Sequence, residues 1–259
     1  MKKRWCTLCK TVLIICFLTA CGDEAETEQT IDKGQQRVEK ESEQRPDITD
    51  LNGDEVLVAY FTRLPNTESG DNLDAVVQGG GPYGAIGESF ESADMDAISS
   101  ASITVTDEGV KGNVETVAGW IAEYTGGELF SIETLEKYPL DYDTLINQGG
   151  EEQQNNVRPQ LVTHVENIEN YNVIYLGYPN WYHDMPMALY SFLEEYDLSG
   201  KTIIPFVTSA SSGLANTVST IAEMQPEADV IEDGLELVMG DVKNSKEEVT
   251  NWVDSLGIQ

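Results

Sequence analysis

Positive charge is scarce in this sequence. Lys and Arg together number 15 against 46 Asp and Glu, which gives a formal net charge of −31. Nucleic acids and anionic lipid surfaces are bound through clustered Lys and Arg, so this composition argues against both nucleic-acid binding and adhesion to lipid through a basic patch. The charge does not define a fold, but it favours neutral or cationic partners.

Cysteine is absent after residue 21. The four cysteines are Cys6, Cys9, Cys16 and Cys21. The first two have CxxC spacing, but neither a second metal-binding pair nor a βαβ pattern accompanies them. If the peptide before Cys21 is removed, no disulfide, zinc–thiolate site or cysteine nucleophile is available in the rest of the chain.

The apolar run near the N-terminus is too short to cross a bilayer, which needs about 20 residues. This run, 11–18, follows a basic start and leads into Leu18-Thr19-Ala20-Cys21. The order is similar to a bacterial lipobox, in which the cysteine is diacylated and the preceding peptide is removed. We therefore expect a lipoprotein signal peptide over 1–20, lipidation of Cys21, and a location on the extracytoplasmic face of the cell membrane. An uncleaved anchor or an ordinary signal peptide is the alternative.

Residues 21–53 contain no aromatic residue and few aliphatic ones. Such a segment cannot bury enough apolar surface to offset the entropy of ordering it, so it predicts a flexible acidic tether. Its root-mean-square reach is about 30 Å, from ~5–6 Å times the square root of its length. The folded domain is predicted over 54–259.

Short apolar runs alternate with helical patterns across this domain. Five runs predict strands buried on both faces, as in a parallel sheet: Val56–Phe61, Leu129–Ile132, Val173–Tyr178, Thr202–Val207 and the weaker Leu235–Val238. Helices are predicted over Asn113–Tyr124, Pro186–Tyr196 and Leu214–Met224, and after a capping box at Ser245–Glu248. The alternation predicts a doubly wound α/β fold. A long insert, 63–111, follows the first strand, and 142–155 could form a further short helix.

In an open parallel sheet the ligand lies beyond the carboxyl ends of the strands. The first such loop begins at Thr62 and Arg63 and re-enters a helix through Gly112, Asn113 and Val114. A glycine before a helix exposes backbone N–H groups that favour an anion, although plain helix capping explains the same residues. Neither GxxxxGK[ST] nor GxGxxG is present, which argues against a triphosphate P-loop and a dinucleotide fingerprint.

The second loop contains Pro179, Asn180, Trp181, Tyr182 and His183. Two aromatic residues in a turn between prolines offer a flat surface for stacking. The alternative is that both aromatic residues pack under the insert and that the histidine is a capping or surface residue.

The third loop is rich in small residues that allow a ligand to approach the backbone and that supply hydroxyl groups. These residues are Thr208, Ser209, Ala210, Ser211, Ser212 and Gly213. The alternative is an ordinary helix N-cap at Ser211 or Ser212.

The motifs that follow one another along the domain are VLVAYF-Thr62, Gly112-Asn113, Tyr138-Pro139, Arg158-Pro159, Gly177-Tyr178-Pro179-Asn180-Trp181-Tyr182, Met185-Pro186 and Pro205-Phe206-Val207-Thr208-Ser209. Together they resemble the flavodoxin-like proteins of bacteria, and in particular the group that includes secreted flavodoxin lipoproteins. The resemblance covers about residues 54–256. It implies a flavodoxin-like, doubly wound, five-stranded parallel sheet with helices on both faces.

The resemblance also implies FMN as the cofactor, with no metal and no catalytic residue. Thr62, with Arg63 beside it, and the turn 112–114 would hold the phosphate. Residues 179–183 would lie along the isoalloxazine ring, with Trp181 or Tyr182 stacked near it, and 208–213 would contact its polar edge. One departure concerns Val114, where members of the family usually carry a hydroxyl residue.

Three functions follow from these observations. The leading one is a membrane-tethered, extracytoplasmic FMN protein acting in electron transfer or reduction of a small acceptor. The sequence does not identify its redox partner. As an enzyme it would be of the quinone- or nitro-reductase type. The second is a flavin-free binding or structural lipoprotein on the same fold. The third is a hydrolase using Ser209 or Ser211 with His183 or His164, which the lack of a GxSxG elbow disfavours.

Overall fold

The computed structural model describes residues 55–67, 103–106, 109–139 and 142–257. The predicted signal peptide, Cys21, the tether and most of the insert lie outside the described residues. Within the described ranges, no helix is both long and apolar enough to cross a membrane.

The described part of the chain is built around one parallel sheet. Its strands and those of a separate hairpin, in chain order, are β1 (Val56–Tyr60), β2 (Ile103–Thr106), β3 (Gly109–Gly112), β4 (Glu128–Ser131), β5 (Val173–Pro179), β6 (Thr202–Ser209), β7 (Asp229–Val230) and β8 (Leu235–Val238). The sheet has the order β4-β1-β5-β6, and the short β7 and β8 lie one after the other along β6. All five predicted apolar runs form strands of this sheet, so the doubly wound parallel fold is confirmed.

In the part of the chain that the structure describes, five helices cover the sheet. They are α1 (Asn113–Thr125), α2 (Tyr142–Gln154), α3 (Met187–Glu195), α4 (Thr217–Met224) and α5 (Lys246–Ser255). Because side chains alternate across a strand, Val56 and Val58 pack against α1 and α5, whereas Leu57 and Ala59 face the cluster formed with α2, α3 and α4. The sheet therefore has helices on both faces, as predicted.

One helix start and one helix cap differ from the prediction, while the last helix begins where it was predicted, directly after Ser245. Helix α4 begins at Thr217, three residues later than expected, so neither Ser211 nor Ser212 is its N-cap. The prediction of a capping box at Ser245 was wrong. The Ser245 side chain makes no cap hydrogen bond, and its hydroxyl donates to the carbonyl of Asp241 instead. The hydroxyl that was expected to cap the helix thus bonds instead to the residue just before the 3₁₀ segment Val242–Asn244.

The end of the insert forms an antiparallel hairpin that sequence analysis did not predict. Strands β2 and β3 pair with Ile103 opposite Gly112, and β3 leads directly into α1. The alternating β-branched residues of Ile103–Thr106 were the available signal for this hairpin. The hairpin brings the chain back to the main sheet immediately before the first helix.

Candidate functional site at the carboxyl edge of the sheet

The loop after β1 and the start of α1 meet, although 49 positions separate them in the sequence. A Cβ atom on Gly112 would lie 2.0 Å from Thr62 Oγ1, so the threonine side chain lies directly against the glycine. Thr62 is 1% exposed, and its hydroxyl has no hydrogen-bond partner among the described residues. The first loop and the start of the helix are therefore adjacent in the fold, and their assignment to a phosphate site stays a prediction.

The start of α1 carries a carboxylate of its own. Glu115 Oε2 accepts the N–H of Gly112 at 3.0 Å, and Thr116 Oγ1 donates to the Gly112 carbonyl at 2.9 Å. The Val114 side chain is fully buried in the core cluster with Val56 and Val58. Val114 can therefore meet a ligand through its backbone N–H, which lies in the first turn of the helix.

Asn66 is a central residue of this edge that sequence analysis missed. It is fully buried in a short 3₁₀ turn after β1. Its Nδ2 donates to the carbonyls of Thr62 at 2.8 Å and Ile132 at 3.0 Å. Its Oδ1 accepts the N–H of Thr134 at 2.8 Å and the Thr134 hydroxyl at 3.1 Å. Asn66 thereby fixes the loop after β1 to the loop after β4.

Arg63, which follows Thr62 in the chain, is buried, at 1% exposure. Its Nη2 lies 3.4 Å from the carbonyl of Pro139, and its own carbonyl accepts the Thr67 hydroxyl at 2.9 Å. A buried guanidinium keeps its charge, so Arg63 contributes a fixed positive charge close to the carbonyl of Pro139.

The second loop ends in a tight two-residue turn. Trp181 N–H donates to the Asp184 carbonyl at 2.8 Å, and Asp184 N–H donates back to Trp181 at 3.0 Å. The two residues between them, Tyr182 and His183, have φ values of 54° and 62°. Bulky residues rarely adopt this left-handed conformation, so the surrounding contacts must hold the turn in place. Asn180 contributes by accepting the His183 N–H at 3.0 Å.

The two aromatic residues of this loop have different environments. Trp181 is 3% exposed and packs edge-on against Phe61 and Tyr138, with ring centroids 5.6 and 5.2 Å away. Tyr182 is 41% exposed, and its ring lies against α2 at Gly150. Tyr182 is therefore the residue whose aromatic surface remains accessible, while Trp181 anchors the loop.

Tyr138, a member of this aromatic cluster, forms a partly buried hydrogen bond with Glu152 on α2. Tyr138 donates its hydroxyl to Glu152 Oε2 at 2.9 Å, and Gln148 donates to the other carboxylate oxygen at 2.9 Å. Burial raises the pKa of Glu152. Burial, together with the Glu152 carboxylate, also raises the pKa of Tyr138 well above its ordinary value. The Tyr138–Glu152 hydrogen bond thereby fixes α2 to the aromatic ring that packs against Trp181.

The third loop is held by three side chains: one at the end of β6, one directly after β5 and one within β8. The Gly213 N–H donates to Ser209 Oγ at 2.9 Å, and the Gly213 carbonyl accepts from Asn180 Nδ2 at 2.8 Å. Glu236 Oε1, on β8, accepts the N–H of Leu214 at 2.8 Å. Asn180 N–H also donates to the carbonyl of Thr208 at 3.0 Å, which joins the second and third loops.

The structure thus brings the predicted residues of all three loops to one edge. Within the third loop, Ala210 is partly exposed and Ser211 is exposed, so both remain accessible there. The hydrolase hypothesis gains no support, because no hydrogen bond joins Ser209 or Ser211 to a histidine in the described ranges. His164 lies elsewhere and pairs with Glu195 at 2.6 Å. No group of three or more His, Cys, Asp or Glu suited to a metal occurs in the part of the chain that the structure describes.

A cavity of about 480 Å³ lies at the opposite end of the sheet, where α3 and α4 end. It contains Glu194, Asp197 and Glu227 among its lining residues. The Gln225 amide beside it already donates to the carbonyls of Leu193 and Tyr196. This cavity is separate from the three loops.

These residues fit a ligand that carries a phosphate group. Burying a hydroxyl without a hydrogen-bond partner costs about 1–3 kcal/mol. We therefore expect a bound ligand to form a hydrogen bond with Thr62 Oγ1. This hydroxyl lies at the N-terminus of α1, where backbone N–H groups favour an anion. The strand order reverses between β1 and β5, which is the point where doubly wound sheets bind ligands. Fold and site together define a ligand-binding protein of the doubly wound α/β class.

Comparison with known proteins specifies this class. The sequence model of the flavodoxin family matches residues 102–256, more than half of the chain. The chain belongs to the flavodoxin family, whose cofactor is FMN. No curated protein sequence matches the chain significantly.

Solved structures of related fold accompany this match. A protein described as a flavoprotein from Bacteroides eggerthii is 20% identical with a TM-score of 0.53, over 79% of this chain and 99% of that one. One from Bacteroides uniformis is 23% identical with a TM-score of 0.53, over 78% and 99%. A flavoprotein of Lactobacillus acidophilus in complex with FMN is 15% identical with a TM-score of 0.47, over 74% and 97%. The first two support the flavodoxin-like fold.

Proposed function

We propose that this protein binds FMN and acts in electron transfer or in the reduction of a small acceptor, from a lipid tether on the extracytoplasmic face of the membrane. The observation that carries the proposal is the meeting of three loops at the carboxyl edge of the sheet, where the strand order reverses. There the Thr62 hydroxyl, which has no hydrogen-bond partner within the described ranges, lies at the start of α1. Bound FMN supplies the redox chemistry.

The chain's own residues bind and orient the cofactor in this proposal. The Thr62 hydroxyl and the first N–H groups of α1 hold the phosphate. The accessible ring of Tyr182 offers a surface for the isoalloxazine, and the backbone of 208–213 faces its polar edge. Trp181, Tyr138 and Asn180 keep these loops in place through the contacts described above. No described side chain is required to transfer a proton.

Titration of the purified protein with FMN tests the proposal. We expect saturable quenching of flavin fluorescence with one FMN per chain, and a yellow protein with a shifted visible spectrum. NAD(P)H consumption with a quinone acceptor would then assign the protein as a reductase. If NAD(P)H is not consumed but the bound FMN takes electrons from a reduced carrier protein, the protein is assigned as an electron carrier. An unchanged FMN spectrum over the whole titration would refute the proposal.

One alternative has specific support. The Glu115 carboxylate lies beside the turn that would hold the phosphate, and Val114 offers no hydroxyl there. Both features weaken anion binding, since like charges repel and one hydrogen bond is lost. They favour a flavin-free binding or structural lipoprotein on the same fold, which the FMN titration would reveal.

The tether gives a prediction of its own. We expect full-length protein to partition with membranes and Cys21→Ala to abolish acylation and release the protein, because the modified sulfur is removed. Incorporation of labelled fatty acid, followed by membrane fractionation, measures both effects. Labelling of the alanine variant would show that Cys21 is not the acylated residue.

The charge of the protein predicts the potential of its cofactor. Reduction adds negative charge at the ring, and both the net charge of −31 and the loop carboxylates Glu115, Asp184 and Glu236 oppose it. We expect a midpoint potential below that of free FMN that rises with salt, since salt screens charges over ~10 Å at 0.1 M. Redox titration at low and high salt, with free FMN as control, measures this. A potential at or above that of free FMN, unaffected by salt, would contradict it.

A further inference from the structure

A chain of hydrogen bonds connects the edge strand β8 to the tip of the second loop. Glu236 Oε1 accepts the N–H of Leu214 at 2.8 Å. The neighbouring Gly213 carbonyl accepts from Asn180 Nδ2 at 2.8 Å. Asn180 Oδ1 in turn accepts the N–H of His183 at 3.0 Å. Glu236 is thereby linked to His183, which it does not contact.

Both ends of this chain have backbone in the left-handed region. In the third loop, Gly213 and Ala215 have φ values of 57° and 49°. In the second loop, Tyr182 and His183 have φ values of 54° and 62°. Left-handed backbone costs about 1–2 kcal/mol for each non-glycine residue, so it persists only where other contacts hold it. The hydrogen-bond chain provides such contacts to both loops.

Glu236 also fixes the position of the third loop by contact. A Cβ atom on Gly213 would lie 2.5 Å from Glu236 Oε2, so the backbone of the loop rests on the carboxylate. The residue lies on the exposed face of β8, where Leu235 and Leu237 face the core and Glu236 does not. Its side chain therefore supports the loop without being part of the core.

We propose that Glu236 is a positioning residue: through Gly213 and Asn180 it holds the Tyr182–His183 turn in the conformation that presents Tyr182 to the flavin. The coupling between the two loops stands on the hydrogen-bond chain alone. Its consequence for FMN rests on the proposed function.

Amide hydrogen exchange in the protein without FMN tests the coupling. Glu236→Ala removes the acceptor, and Glu236→Gln keeps an acceptor oxygen without the charge. Glu232→Ala, an exposed acid just before β8, is the matched control for loss of negative charge. With NMR detection, we expect the Leu214 and His183 amides to exchange about tenfold faster in Glu236→Ala, as for the loss of one hydrogen bond worth about 1.4 kcal/mol. Glu236→Gln and Glu232→Ala should resemble the wild type.

The response of His183 decides the inference. A purely local role would accelerate exchange at Leu214 alone, and that result would overturn the coupling. If Glu236→Gln resembled Glu236→Ala, the charge and not the hydrogen bond would be responsible, which would also overturn it. Because Glu236 is exposed on an edge strand, a melting curve for each variant verifies that the core is retained.

FMN affinity provides the second measurement. We expect the Kd to rise about tenfold in Glu236→Ala and to stay within about threefold of the wild type in Glu236→Gln and in Glu232→Ala. If His183 exchanges faster in Glu236→Ala but the Kd for FMN is unchanged, then Glu236 does not position the loop for FMN binding, and that part of the proposal is overturned. Absence of FMN binding by the wild type would refute the proposed function, while the exchange experiment would still decide the coupling.

Discussion

Gly112→Ala should weaken FMN binding at least about 100-fold while the apoprotein still folds. The added Cβ atom would lie 2.0 Å from Thr62 Oγ1 and 2.9 Å from both Thr62 Cβ and Cγ2. Since no pair of such atoms can approach so closely, either the start of α1 or the threonine must move. Both hold the phosphate in the proposed site, so a loss of about 2.7 kcal/mol of binding free energy is expected. Isothermal titration calorimetry with FMN measures it.

Helix α1 supplies a matched control for this substitution. A Cβ atom on Gly119, two turns further along, would meet no atom within 4 Å. Gly119→Ala should therefore leave FMN affinity unchanged and stabilise the helix by about 0.5–1 kcal/mol, because alanine loses less backbone entropy on folding. Equal FMN affinity in Gly112→Ala and Gly119→Ala would remove the turn at the start of α1 from the site.

Sequence reasoning located this turn because a buried strand, a polar loop end and a glycine before a helix each leave a local signal. The apolar runs of β1, β5 and β6 are continuous, which is typical of strands buried on both faces. The order of the motifs then indicated that Thr62 and Gly112 meet across a long insert. Fold class and the three loops were therefore predictable.

The roles within those loops were less predictable, since burial and side-chain contacts depend on distant parts of the chain. Trp181 and Tyr182 are adjacent aromatic residues, yet one is buried against Tyr138 and the other is exposed against α2. Asn66 resembles any polar turn residue until the fold places Thr134 next to it. Glu236 resembles any surface acid of an edge strand until the third loop rests on it.

Asn66→Ala should lower the free energy of unfolding by about 3 kcal/mol or more. The amide makes four hydrogen bonds, and its removal leaves the Thr62 and Ile132 carbonyls and the Thr134 N–H without their partner in a buried site. Each such group costs about 1–3 kcal/mol when it is left unsatisfied. Urea denaturation measures the change. Asn155→Ala, which removes an exposed amide that donates to the Glu151 carbonyl at 2.8 Å, is the control and should cost less than about 1 kcal/mol.

Asn66→Asp distinguishes the loss of hydrogen bonds from the loss of side-chain volume. The aspartate has nearly the same shape and keeps an acceptor for Thr134, but its second oxygen faces the Thr62 and Ile132 carbonyls in place of a donor. Burial and these carbonyls raise the pKa of the introduced carboxyl in the folded state above its unfolded value. The folded state therefore binds more protons, and stability is highest below the unfolded pKa and falls as pH rises through the folded pKa. In urea denaturation, the free energy of unfolding of Asn66→Asp should thus be closer to that of the wild type at pH 4 than at pH 7. Asn66→Ala is measured at both pH values as the reference. A constant difference between the two variants across this range would show that the Asn66 donor is not what holds the loops after β1 and β4 together.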